Sequence, residues 1–149
     1  MPSNLELRFQ VQAKIGKSVS EVFEAVHDSA KLSAYFTNGG SSGSMDRGKS
    51  IIWKFAEFPG NFPVNITDVI QNRTIAFEWS LPGTSPVPVE FSFEPLDDRS
   101  TLVKISCSGF KENQQSLDES YSHCSGWMQM LCSLKVYVED GRNLREFFF

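Results

Sequence analysis

The chain has 149 residues and 14 Lys and Arg against 18 Asp and Glu, a formal net charge of −4. That length supports one hydrophobic core without metals or disulfides, so a single domain spanning residues 1–149 is expected, and the acidic balance without basic clusters argues against nucleic acid as a partner. Three cysteines, Cys107, Cys124 and Cys132, lack CxxC spacing and suggest neither a disulfide framework nor a zinc site, which fits a reducing cytoplasm. The segment from Met1 to Arg8 lacks an apolar signal core, and no run approaches the ~18 apolar residues of a membrane span. A cytoplasmic protein with no membrane span is the expectation.

Leu5, Leu7, Phe9 and Val11 alternate with Glu6, Arg8, Gln10 and Gln12, which predicts a first strand with one wet face. Ser18 and Glu21 form a capping box ahead of Val22, Phe23 and Val26, the inner face of a short helix. Leu32, Tyr35 and Phe36 predict a second helical turn over residues 29–36, and the Gly- and Ser-rich stretch 37–44 predicts a mobile loop. From Lys49 to Phe110 the period is that of strands, with pieces at residues 49–55, 62–70, 74–80, 87–95 and 101–109 and a turn at Phe58-Pro59-Gly60-Asn61. Connections of a few residues make neighbouring strands antiparallel, because a parallel return needs a crossover of about a dozen residues. Trp127, Leu131, Leu134 and Val138 then line one face of a long helix that Gly141 stops, and Asp118 and Glu119 sit in its first turn. Strand, two short helices, antiparallel meander and long final helix make an α+β helix-grip fold, in which a curved sheet wraps around the last helix and leaves a space between them.

Several segments of the chain resemble the START-like, or SRPBCC, superfamily, and within it the branch named after the activator of the heat-shock protein 90 ATPase. Val22-Phe23-Glu24-Ala25-Val26-His27-Asp28-Ser29-Ala30-Lys31-Leu32-Ser33-Ala34-Tyr35-Phe36 is similar to the family's first helical segment, with Ser29 where proline is common. Arg73-Thr74-Ile75-Ala76-Phe77-Glu78-Trp79 is similar to its central strand, and Val89-Glu90-Phe91-Ser92-Phe93-Glu94-Pro95 and Ser100-Thr101-Leu102-Val103-Lys104-Ile105 to the two that follow. Gly126-Trp127 with Leu131, Leu134 and Tyr137 resembles the last helix. The resemblance implies the helix-grip (START-like, Bet v-like) fold and a cavity. It does not define the chemistry, because the superfamily includes carriers, hydrolases, cyclases and co-chaperone domains.

With 13 Phe, three Trp and three Tyr in the chain, rings either fill the grip or line it. The candidate ligand-binding set is Tyr35, Phe36, Trp53, Phe55, Phe77, Trp79, Phe91, Phe93, His123, Trp127, Met128 and Leu131. An enzyme would use one of the two histidines, His123 or His27, as base, and neither has an obvious orienting carboxylate in the sequence. No metal-ligand spacing and no cofactor motif is present. The leading expectation is binding of a small apolar molecule between sheet and last helix. The rivals are a co-chaperone with a chaperone partner, implied by the resemblance, and a cyclase- or hydrolase-type enzyme. Phe147, Phe148 and Phe149 would form an apolar patch in water, so they are expected to dock on the protein's own sheet or on a second copy in a homodimer.

Overall fold

The computed structural model describes residues 6–149, so the expected strand residue Leu5 lies outside the described residues. Alternating apolar residues form β1 (Leu7–Ile15), which extends past the expected end. Ser18 caps α1 (Val19–His27): its Oγ accepts the Glu21 N–H at 3.4 Å and donates to Glu21 Oε1 at 3.1 Å. Asp28 plays the same part for α2 (Ser29–Ser33), accepting the Lys31 N–H at 3.0 Å, and the chain turns on through Phe36.

The meander consists of β2 (Gly40–Ser41), β3 (Ser50–Phe55), β4 (Phe58–Ile70), β5 (Thr74–Trp79), β6 (Val87–Asp97) and β7 (Ser100–Phe110). All neighbours are antiparallel, in the order β1-β7-β6-β5-β4-β3-β2. Two expectations need correction. The stretch 37–44 is not simply a loop, because Gly40 and Ser41 pair with Lys54 and Trp53. Gly39 permits this approach, since a Cβ there would sit 2.8 Å from the Lys54 carbonyl carbon. The turn after β3 falls at Ala56 and Glu57 rather than at residues 58–61, which begin β4. Asn38 holds it there, taking the Ala56 N–H at 2.8 Å and donating to Glu57 at 2.7 Å.

The last helix, α3 (Gln114–Asp140), is capped by Asn113 and ends at Gly141 in the left-handed conformation (φ 68°). Asp118 and Glu119 therefore fall in its second turn, not its first. Near its C-terminal end, Lys135 Nζ donates to the Lys14 carbonyl at 2.8 Å and Glu139 accepts the Gly16 N–H at 3.0 Å. These contacts fasten the helix to β1, while its apolar face lies on the sheet. Among the described residues no helix is long and apolar enough to cross a membrane.

The core is aromatic. Trp53 is buried with its ring 5.4 Å from Phe77, 5.7 Å from Trp79 and 6.4 Å from Trp127, all edge-to-face. Trp53→Ala is expected to lose about 3–5 kcal/mol of unfolding free energy through the cavity it leaves. Urea denaturation checks this, and a loss below about 1 kcal/mol would show that the ring cluster does not hold the sheet to the helix.

Candidate functional site

The side of α3 that faces the sheet changes character along its length. Trp127, Met130, Leu131 and Leu134 are buried in the solid core, whereas the turn before Trp127 offers Ser122, Ser125 and Gly126. Small side chains there leave a cavity of about 610 Å³ between α3 and the β3–β5 end of the sheet. Phe55, Phe58, Pro59 and Phe62 bound it from β3 and β4, Trp79 from β5, Leu81 and Pro82 from the following loop, and Phe36 from the turn after α2. His123, Trp127 and Gln129 come from α3, and Arg145 and Phe149 from the tail beyond it.

Of the expected ligand-binding residues, Phe36, Phe55, Trp79, His123 and Trp127 reach this wall. Trp53, Phe77, Phe91, Phe93 and Leu131 are buried behind it, in the filled core. Tyr35 is also buried away from the cavity, its phenol donating to the Ala25 carbonyl at 2.9 Å and its ring stacked on Tyr137; burial pushes its pKa up. Met128 points away, 38 % exposed, because it follows Trp127 by about 100° around the helix. The indole N–H groups of Trp53, Trp79 and Trp127 are buried without a nitrogen or oxygen acceptor. These rings pack edge-to-face on one another, Trp53 on Trp79 at 5.7 Å and Trp79 on Trp127 at 5.3 Å.

His123 is 5 % exposed, between Trp79 (5.8 Å) and Phe110 (5.3 Å), and its Nδ1 has no hydrogen-bond partner. Burial lowers its pKa below the ordinary histidine value, and the charge of Glu119 offsets this only in part. His27 does have a carboxylate, contrary to expectation: its Nε2 lies 2.7 Å from Asp46 Oδ1, but outside the cavity wall.

The sequence pattern did not reveal Arg145. It stands beyond the last helix, yet it is 4 % exposed. Its Nε and Nη2 donate to Glu57 Oε2, both at 3.3 Å, and its Nη1 to Gln129 Oε1 at 3.2 Å. Phe149, Phe55 and Phe36 surround the guanidinium with ring centroids at 4.8, 5.0 and 5.6 Å. Burial lowers the Arg145 pKa, and Glu57 counters this. Burial also works to raise the pKa of Glu57, but its own backbone N–H, Asn38 and Arg145 together hold it below the usual carboxylate value. The tail closes one side of the cavity, with Phe149 edge-on to Phe58 at 5.4 Å. Phe149 thus touches the chain's own sheet while staying 63 % exposed, and Phe147 remains 96 % exposed.

A curved antiparallel sheet gripping a long C-terminal helix, with a cavity at the open end of the grip, defines a helix-grip domain of the START-like class. The family described as activator of Hsp90 ATPase homolog 1-like protein matches residues 17–139, and the chain belongs to it. No curated protein sequence matches the chain. Among solved structures, protein SSP2350 of Staphylococcus saprophyticus is 27 % identical with a TM-score of 0.78, over 93 % of this chain and 96 % of that one. The Aha1 dimer of Colwellia psychrerythraea is 22 % identical with a TM-score of 0.76, over 92 % and 99 %. DynU16, described as a putative protein of the dynemicin biosynthetic locus, is 23 % identical with a TM-score of 0.78, over 91 % of this chain and 48 % of that one. The last two show the fold alone.

The lowered pKa of His123 has a testable consequence. An unfolded histidine titrates near ~6.5, so below that pH the folded state binds fewer protons than the unfolded one and stability falls as pH falls. His123→Phe is expected to lose less stability than the unmodified chain between about pH 7.5 and about pH 5.5. Urea titrations at both pH values check this; equal losses would show that His123 is not held neutral by its surroundings.

Proposed function

We propose that the chain binds a small, largely apolar molecule in the cavity between α3 and the β3–β5 end of the sheet. The observation that carries this reading is the cavity itself: about 610 Å³, within the range of ligand sites, walled by rings and adjoining a core that is otherwise filled. Gly126 supports it. A glycine inside a helix costs about 1 kcal/mol relative to alanine, and neither a close neighbour nor a positive φ requires one here, since a Cβ would meet nothing within 4 Å. Its absent side chain keeps the cavity mouth clear. Binding is favoured over turnover because His123 Nδ1 has no group to orient it. The three free thiols fit a reducing compartment.

Stability and binding should therefore respond in opposite senses at Gly126. Gly126→Ala is expected to stabilise the fold by about 0.5–1 kcal/mol, and Gly126→Leu to weaken binding of the uncharged fluorophore N-phenylnaphthylamine at least about tenfold. Fluorescence titration reads the second effect, and unchanged affinity in Gly126→Leu counts against the cavity as the site.

The exposed Phe147 and Phe148 favour a second, compatible reading, contact with another copy of the chain, as the Colwellia neighbour is described as a dimer. The family's name also brings in a chaperone partner, but no residue contact here singles one out. Phe147→Ser with Phe148→Ser is expected to abolish concentration-dependent association in sedimentation velocity. A monomer at all concentrations in the unmodified chain would remove the dimer reading.

A further inference from the structure

Resting on that ligand-binding reading, we propose that the molecule held in the cavity is an uncharged aromatic carbonyl compound, and that its oxygen docks on Arg145. Gln129 is already engaged at both ends of its amide, its Oε1 accepting from Arg145 and one N–H of its Nε2 donating to Ser133 Oγ at 3.0 Å. His123 is held toward its neutral form and offers one unpartnered ring nitrogen without charge, and Ser122 and Ser125 lie at the exposed rim. Arg145 is the one charged side chain on the wall among the described residues.

A guanidinium has five N–H bonds. Three of those of Arg145 go to Glu57 and Gln129, and one each on Nη1 and Nη2 has no protein acceptor among the described residues. The bonds it does make, at 3.2–3.3 Å, are long for a charged pair, for which about 2.7–2.9 Å is usual. Donor capacity therefore remains at the cavity wall, in a side chain that is almost wholly buried. Glu57 stands behind it and is not part of that wall. Its carboxylate already balances the arginine, so an anionic ligand would bring a second negative charge to a neutral pair, while a carbonyl oxygen takes the free N–H groups without one. The rings of Phe36, Phe55, Trp79 and Phe149 suit a flat aromatic body.

The test compares acetylnaphthalene, ethylnaphthalene and naphthoate, which share a ring system and differ in the polar group, by competition against N-phenylnaphthylamine. Acetylnaphthalene is expected to bind about tenfold or more tightly than either of the others, as a hydrogen bond to a charged group allows. Arg145→Met should bring the ketone-to-hydrocarbon ratio toward one, and Glu57→Gln should shift preference toward naphthoate by removing the balancing charge. Should Arg145→Met fail to fold by circular dichroism, Glu57→Gln alone decides the matter. Equal binding of ketone and hydrocarbon, or tightest binding of naphthoate by the unmodified chain, overturns the inference while the cavity reading stands. No binding of N-phenylnaphthylamine overturns the cavity reading, and this inference falls with it.

Discussion

Trp127 is the contact through which the helix and the sheet become one structure. Its ring meets Trp79 at 5.3 Å, Phe91 at 5.5 Å and Phe77 at 5.9 Å, all edge-to-face, and Phe36 at 5.7 Å. Those partners come from β5, β6 and the turn after α2, so a single side chain of α3 ties together elements far apart in sequence. Each such pair contributes about 0.5–1.5 kcal/mol beyond the area it buries. Inward rings of β3, β5 and β6 converge on this one side chain.

The same contact decides where the grip is hollow. On the C-terminal side of Trp127 the helix presents Met130, Leu131 and Leu134, which fill the space above β1 and β7. On the N-terminal side His123 packs between Trp79 and Phe110, but beside it the helix presents Ser122, Ser125 and Gly126, which do not reach the sheet opposite. The strands beyond do not compensate, since their large side chains already pack against one another: Phe55 on Phe62 at 5.3 Å and Phe62 beside Trp79 at 6.3 Å. The cavity thus follows from a change of side-chain size along one helix.

The elements were legible in the sequence because their signals are periodic and local. Alternation marked β1 and the meander, Ser18 and Glu21 marked the start of α1, and Gly141 marked the end of α3. What periodicity cannot tell is which inward rings meet rings and which meet space. Trp53, Phe77 and Phe91 have the same inward phase as Phe55 and Trp79, yet only the latter two reach the cavity. The turn at Ala56 and Glu57 was hidden for a different reason: Asn38, eighteen residues earlier, holds it with its side chain. Arg145 was hidden because an arginine beside a glutamate in the tail carries no local sign that three phenylalanines will bury it. The seven residues Asn143-Leu144-Arg145-Glu146-Phe147-Phe148-Phe149 suggested an apolar tail in need of a surface, and what the tail places against the sheet includes a cation.

That cation asks for a physical reason. A buried ion pair rarely adds net stability, because desolvating both groups costs several kcal/mol and apolar residues of the same size often do as well. At Arg145 the cost is reduced but not cancelled, since Glu57 balances the charge and ring faces replace water. An apolar side chain in its place would pack against the same phenylalanines and carry no fixed partner. The tail could then slide along an apolar groove, whereas hydrogen bonds to Glu57 on the β3–β4 turn and to Gln129 on α3 accept one register. Because Glu57 is itself positioned by Asn38, the register of the tail is tied through that turn to the segment after α2. The pair therefore specifies where the tail crosses the cavity, and it brings to that wall its one charged side chain among the described residues.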